Sequence, residues 1–245
     1  MIDLHAHVLP ALDDGSRSLE ESLAMLRLAA ADGTRVLCAT PHAHGPDYDV
    51  ARAAASDGHE ALRAAALAAG IALELRVASE VWYRADLDVL AREGRLALLG
   101  EGRRRYVLVE FPPTHVPPEA AEVLFRLRLE GVTPVIAHPE RNPSFWAKPD
   151  AAVRLREQGA LLQVTAGSFT GLFRRESKVC ARALLERDAV DLIASDCHRA
   201  DRRPPGLSEA ARLVAKWKGL DRAERLTDAV PRAILAGDPV PGAAA

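Results

Sequence analysis

MIDLHAH, residues 1–7, decides the fold. A short apolar run of strand character ends in His5 and His7. Residues i and i+2 of a strand face one side, so these two imidazoles can chelate the same ion. The pattern then repeats along the chain: RVLCATPH ends on His42, LELRVASE on Glu80, YVLVE on Glu110, TPVIAH on His138, and VDLIASDCH on Asp196 and His198. In a closed barrel of parallel strands every carboxyl end opens onto one face, where the active sites of α/β barrels lie. Residues scattered from position 5 to position 198 would meet there in one small volume. Imidazole and carboxylate together suit borderline to hard divalent cations. The pattern reads as a multinuclear metallohydrolase.

Between those strand ends the chain alternates short β-branched runs with longer helical patterns, the signature of parallel βα repeats. Strands are predicted near 2–5, 35–40, 71–79, 106–110, 133–137, 161–165 and 190–195. Helices are predicted near 18–32, 50–69, 84–93, 118–130, 149–158 and 176–187, with two more between Gly206 and Leu235. Ser18 with Glu21 forms a capping box for the first helix, and Gly33 ends it. Seven strands in one series predict a distorted TIM-like (β/α)7 barrel, with a doubly wound open sheet as the alternative. The expected organisation is one domain over residues 1–238 and a flexible tail over 239–245.

Composition narrows the function. A chain of 245 residues, 49% of them hydrophobic, has ample core for one large domain. The net charge of −2 gives no broad basic field for nucleic acid or membrane, and the run Arg103–Arg105 reads as a solvated loop. Cys38, Cys180 and Cys197 are too few and too scattered for a disulfide framework. No run of about eighteen apolar residues could span a bilayer, and no signal peptide is visible. A cytoplasmic location is expected. GxGxxG and GxxxxGK[ST] loops are absent, so nucleotide binding has no local support.

Several loop residues extend the ligand set. Asp14, in ALDDGS, is a candidate ligand, although Asp13 and Asp14 also suit an Asx turn before Gly15. His44 and Asp47 follow His42 as loop polars or substrate contacts. Glu80 and Glu110 end strongly apolar strands, where a carboxylate is costly unless paired, protonated or metal-bound; Glu80 is the candidate bridge between cations. Arg141 presents a fork that matches phosphate. His59 and His115 lack such settings and read as surface histidines. Cys197 and Arg203 fit the C-x5-R spacing of cysteine phosphatases. That loop has no glycine for a phosphate cradle, and Asp196 and Asp201 would raise the thiol pKa.

HxH near the N-terminus, TPH, HPER and SDxH together resemble the PHP (polymerase and histidinol phosphatase) superfamily. MIDLHAHVLPALDDGSRSLEESLAML, CATPHAHG, YVLVEFPPTHVPP, TPVIAHPERN, LLQVTAGSFTGLF and IASDCHRADRRPP resemble its CpsB/YwqE-type bacterial protein-tyrosine phosphatases, in order from residue 1 to about 215. The resemblance implies a PHP-type barrel and a trinuclear site, with manganese as the first choice of metal and iron or zinc as alternatives. Carried over, the ligands are His5, His7, His42, Glu80, Glu110, His138, Asp196 and His198, with Asp14 joining them, and Arg141 as the phosphate clamp. The implied substrate is phosphotyrosine on a bacterial tyrosine kinase that regulates capsule or exopolysaccharide synthesis. Two departures stand out. Ala43 separates His42 from His44 where the family often has adjacent histidines, which puts a substrate role for His44 in question. SDCHR replaces SDAHN and places a thiol beside the predicted metals, a possible point of oxidation.

The expected chemistry is direct hydrolysis by a hydroxide drawn from a cation-activated water, with charge neutralised by the cations and Arg141. The phenolate leaves with a pKa of about 10 and needs little acid help; His198 is one proton donor within the set, beside Asp196. The alternatives are a PHP phosphoesterase acting on a small phosphomonoester such as histidinol phosphate, and a non-catalytic PHP binding module.

Overall fold

The computed structural model describes residues 1–44 and 48–240. Its strands are β1 (Ile2–Ala6), β2 (Val36–Ala39), β3 (His42–Ala43), β4 (Glu74–Val77), β5 (Glu80–Trp82), β6 (Arg105–Glu110), β7 (Val132–Ala137), β8 (Leu161–Thr165) and β9 (Leu192–Ala194). They pair in parallel as two sheets, β1-β2-β4 and β3-β5-β6-β7-β8-β9. β3 continues the path of β2 past Thr40 and Pro41, and β5 continues β4 past Ala78 and Ser79, so the segments trace seven strand paths. The predicted strands at 35–40 and 71–79 thus correspond to β2 and β4, and each is followed on the same path by a further short segment, β3 and β5. Proline at 41 has no N–H to give to a ladder, and Pro41 instead accepts from the Glu80 N–H (3.1 Å).

The ring closes between its last and first strands. Ala6 bridges Cys197 in parallel, Asp196 N–H donates to the His5 carbonyl (2.8 Å), and His7 N–H donates to the Cys197 carbonyl (2.9 Å). This is the distorted TIM-like (β/α)7 barrel of the PHP type, its two parallel sheets meeting at this isolated bridge. Alternation sorts the side chains. Tyr106 and Leu108 of β6 join Ile2, Leu4, Val135, Leu161 and Leu192 in the barrel interior, while Val107, Val109, Ile136 and Ile193 pack outward against helices.

The helices lie close to prediction, at Leu19–Ala31, Tyr48–Ala68, Leu87–Arg92, Ala120–Leu129, Asp150–Glu157 and Arg175–Glu186. Ser18 caps the first by accepting from Glu21 N–H (3.2 Å). The Glu21 carboxylate reaches back to the Arg17 N–H (2.9 Å), one residue earlier than the usual capping box. After Ser208–Lys218, the single second helix expected before Leu235 is instead Leu220–Glu224, a widened π turn at Arg225–Ala229 and Val230–Ala236. Val230, Ile234 and Val240 join the interior cluster. Val240, expected in a flexible tail, is thus buried, and the preceding Asp238 carbonyl accepts from Tyr106 Oη–H (2.6 Å). Residues 241–245, like Asp47, lie outside the described residues.

Candidate metal centre

Plain alternation from Ile2 and Leu4 would turn His5 out of the barrel. The β1–β2 register slips between Asp3 and Ala6, and the phase reverses there: Ala6 and Val8 pack in the outer layer with Met25 and Leu26, so His5 and His7 face the axis. Two other strand ends turn by backbone conformation. His138 (φ 31°) and Asp196 (φ 51°) are left-handed, a costly state for non-glycine residues that concentrates at functional sites. β6 delivers Glu110 by simple alternation after Tyr106 and Leu108.

The strand-end residues meet. Nε2 of His5 and of His7 are 3.2 Å apart, and Glu80 Oε2 lies 3.2 Å from the first, 3.3 Å from the second and 3.0 Å from His42 Nδ1. Asp196 Oδ1 is 3.5 Å from both Nε2 atoms. His138 Nε2 sits 2.9 Å from Glu80 Oε1 and 3.6 Å from Glu110 Oε1. Asp14 joins directly, its Oδ1 3.4 Å from His42 Nε2 and 3.3 Å from His198 Nε2. Donor atoms within 4.8 Å of one another form four overlapping groups: His5–Glu80–His138, His5–His7–Asp196, His7–Asp14–His42–His198 and His42–His44–Glu110. His44 stands at the rim, half exposed, with its ring 4.7 Å from that of Trp82.

The donor set fits divalent cations. Glu80 Oε2, Glu110 Oε2 and His42 Nδ1 are buried, and although the first and last lie 3.0 Å apart, none of the three makes a well-aligned hydrogen bond; crowding of such atoms is costly unless a cation takes their lone pairs. The tautomers fit as well. His5 Nδ1–H donates to Gln163 Oε1 (2.9 Å) and His7 Nδ1–H to Asp13 Oδ2 (2.7 Å), leaving both Nε2 atoms for coordination. Asp13 is itself held by the N–H groups of Gly15 (2.9 Å) and His42 (3.1 Å).

Electrostatics follow from crowding. Burial works against a charged His7, but Asp13 and Glu80 overcome it and raise its pKa to about 10. Burial likewise opposes ionisation of Glu80, yet His5, His138 and His42 pull it well below the usual carboxylate range. Burial and Glu80 push Glu110 up to about 7. Burial and His7 lower His198 to about 4; a neutral imidazole suits a ligand better than the proton donor expected from sequence.

Two guanidiniums flank the centre. Arg141 Nη1 and Arg203 Nη2 (2.6 Å for the latter) both donate to Asp196 Oδ2, and Arg203 also reaches the Asp196 carbonyl (2.9 Å). Sequence reading picked out Arg141 but met Arg203 only through the cysteine spacing. Gln163, Asp13 and Arg203 all escaped it as site residues. Gln163 alone left a clear trace, an amide inside the apolar strand LLQVT. Cys197 does not sit beside the donors as expected: it points outward, is fully buried among Ala6, Val8 and Leu26, and burial drives its pKa up. That also removes it as a nucleophile. His59 bonds the Leu75 carbonyl through Nε2 (3.0 Å) and His115 pairs with Thr114 (3.1 Å), neither with the centre.

The model of the family described as capsular polysaccharide synthesis, CpsB/CapC, matches residues 1–236. The chain is 34% identical over 230 residues to the tyrosine-protein phosphatase YwqE of Bacillus subtilis, covering 93% of this chain and 89% of that one. It is 30% identical over 240 residues to the tyrosine-protein phosphatase CpsB of Streptococcus pneumoniae, covering 96% and 98%. Among solved structures it matches one from a study of YwqE and CpsB from those two organisms, described as unique metal-dependent tyrosine phosphatases. The TM-score is 0.91 at 32% identity, over 98% of this chain and 96% of that one. By a match that spans almost its whole length, the chain belongs to the CpsB/CapC family.

Proposed function

We propose that this chain is a metal-dependent protein-tyrosine phosphatase that removes phosphate from a bacterial tyrosine kinase controlling capsule or exopolysaccharide synthesis, in the cytoplasm. The observation that carries the reading is the meeting of buried, crowded imidazole and carboxylate donors with two arginines at one barrel mouth. Three cations would be held by His5, His7, His42, Glu80, Glu110, His138, Asp196 and His198 with Asp14 beside them, and Glu80, which faces His5, His7, His42 and His138, would be shared between cations. Mixed nitrogen and oxygen donors suit manganese, with iron or zinc as alternatives. When bound, such cations supply a water of low pKa as nucleophile and positive charge against the phosphoryl oxygens.

The protein's own groups do the rest. Asp13 and Gln163 fix the rings of His7 and His5, so both Nε2 atoms are oriented before substrate arrives. Arg141 and Arg203 bind the phosphoryl oxygens at the open side and stabilise the charge that spreads over them in the transition state. The phenolate, with a pKa of about 10, departs toward the rim near His44 and Trp82. Among the described residues, no helix is long and apolar enough to cross a membrane.

The test is phosphate release from a phosphotyrosine peptide by metal-stripped protein, before and after Mn²⁺, with histidinol phosphate run alongside. Activity on the peptide that appears only with metal is expected; His138→Ala should lose it and Cys197→Ala keep it. Metal-dependent turnover of the small ester alone would overturn the substrate. Activity that survives a strong chelator, or that dies with Cys197→Ala, would overturn the metal reading.

A further inference from the structure

Arg141 and Arg203 reach Asp196 from different parts of the chain, and neither is buried: their side chains are 28% and 24% exposed. Long cationic side chains at a solvent edge lose much rotamer freedom when they are held in one place. Asp196 holds both, and a second group also touches the pair. Phe173 meets both of them. Its ring centroid lies 4.7 Å from the Arg141 guanidinium carbon and 5.4 Å from that of Arg203. The face of an aromatic ring attracts cations at this range, so one ring offsets part of the repulsion between the two.

The ring is itself held from behind. Phe173 follows the short helix Ala166–Thr170 and the left-handed Gly171 (φ 93°). A Cβ on Gly167 would come within 2.9 Å of Phe173 Cε2 and 3.0 Å of Leu172 Cδ2, so the ring rests on a backbone with no side chain there. The helix is tied down in turn. Fully buried Glu140 accepts from Thr165 N–H (3.0 Å) and Ser168 Oγ–H (2.7 Å). Glu140 precedes Arg141 directly, so the ring and the guanidinium it supports share one anchor.

We propose that Phe173 is a positioning residue, whose ring holds Arg141 and Arg203 together as a paired clamp for the phosphoryl group. The proposal rests on the phosphatase reading of the site, but its first readout does not. In metal-free protein, phenylglyoxal labelling of Arg141 and Arg203, followed by peptide mass spectrometry, should be several-fold faster in Phe173→Ala and Phe173→Leu than in wild type. Phe173→Tyr, which keeps the ring, should label like wild type. With Mn²⁺ restored, the first two variants should bind their metal normally. They should lose roughly tenfold in kcat/KM on the phosphotyrosine peptide and roughly tenfold in inhibition by inorganic phosphate; tyrosine should restore both to within about twofold.

Equal labelling in all four proteins overturns the proposal, as does a leucine variant with wild-type phosphate inhibition. If the alanine variant fails to fold, the leucine–tyrosine comparison decides alone. Wild-type protein that labels as expected but never hydrolyses the peptide sinks the phosphatase reading and leaves the contact between ring and arginines standing.

Discussion

His7 divides its two nitrogens between two tasks. Nδ1–H is spent on Asp13, and Nε2 faces His5, Glu80 and Asp196. In the cation-free protein the surrounding carboxylates raise its pKa to about 10, so Nε2 carries a proton at neutral pH. Glu110, pushed up to about 7 by burial and Glu80, is then close to half protonated. A cation can take these positions only by displacing the protons. Raised pKa values mean that acid competes, so divalent-cation affinity should rise from pH 6 to pH 8, with about one proton or more released per protein. Calorimetric titration with Mn²⁺ in two buffers of different ionisation enthalpy measures the release. Binding that frees no proton would remove His7 from the ligand set.

The loop after β1 shows how an element enforces that arrangement. Gly15 lies under His7: a Cβ there would come within 2.2 Å of the His7 carbonyl oxygen and 2.6 Å of His7 Cβ. Gly15→Ala should therefore cost about 1–3 kcal/mol and release Asp13 from His7, seen as a lower urea midpoint and weaker Mn²⁺ binding. An unchanged midpoint would mean that the loop has another seat. Elements were largely legible from sequence, because the apolar runs and helix periods carry their own signal. The eight strand-end residues that meet at the barrel mouth were legible too, because histidine or carboxylate at the end of an apolar run is conspicuous. Partners were not. Asp13 and Arg203 gain meaning only through contacts across the fold, and Phe173 reads as one more apolar residue in GLF. The strand breaks at Pro41 and Ser79 and the phase slip in β1 also lay beyond periodicity, since neighbouring strands impose them.

At the scale of the molecule, the barrel's far end is plugged by the last helical turns and by Val240. Truncation after Gly237 would remove the buried Val240 side chain and the acceptor for Tyr106 Oη. It should cost about 2–4 kcal/mol, from burial and one hydrogen bond, measured by urea denaturation; a midpoint equal to that of the whole chain would show that this end only rests on the barrel. Closure of the ring has a consequence for how the protein comes into being. His5 and His7 leave the ribosome well before Asp196 and His198. The two pairs become neighbours where the first and last strands meet, at the Ala6–Cys197 bridge and the hydrogen bonds beside it. No nascent fragment short of the last strand can bring together the full set proposed above, so a cation that needs all of it would be taken up only after β9 has emerged and would then tie the first strand to the last.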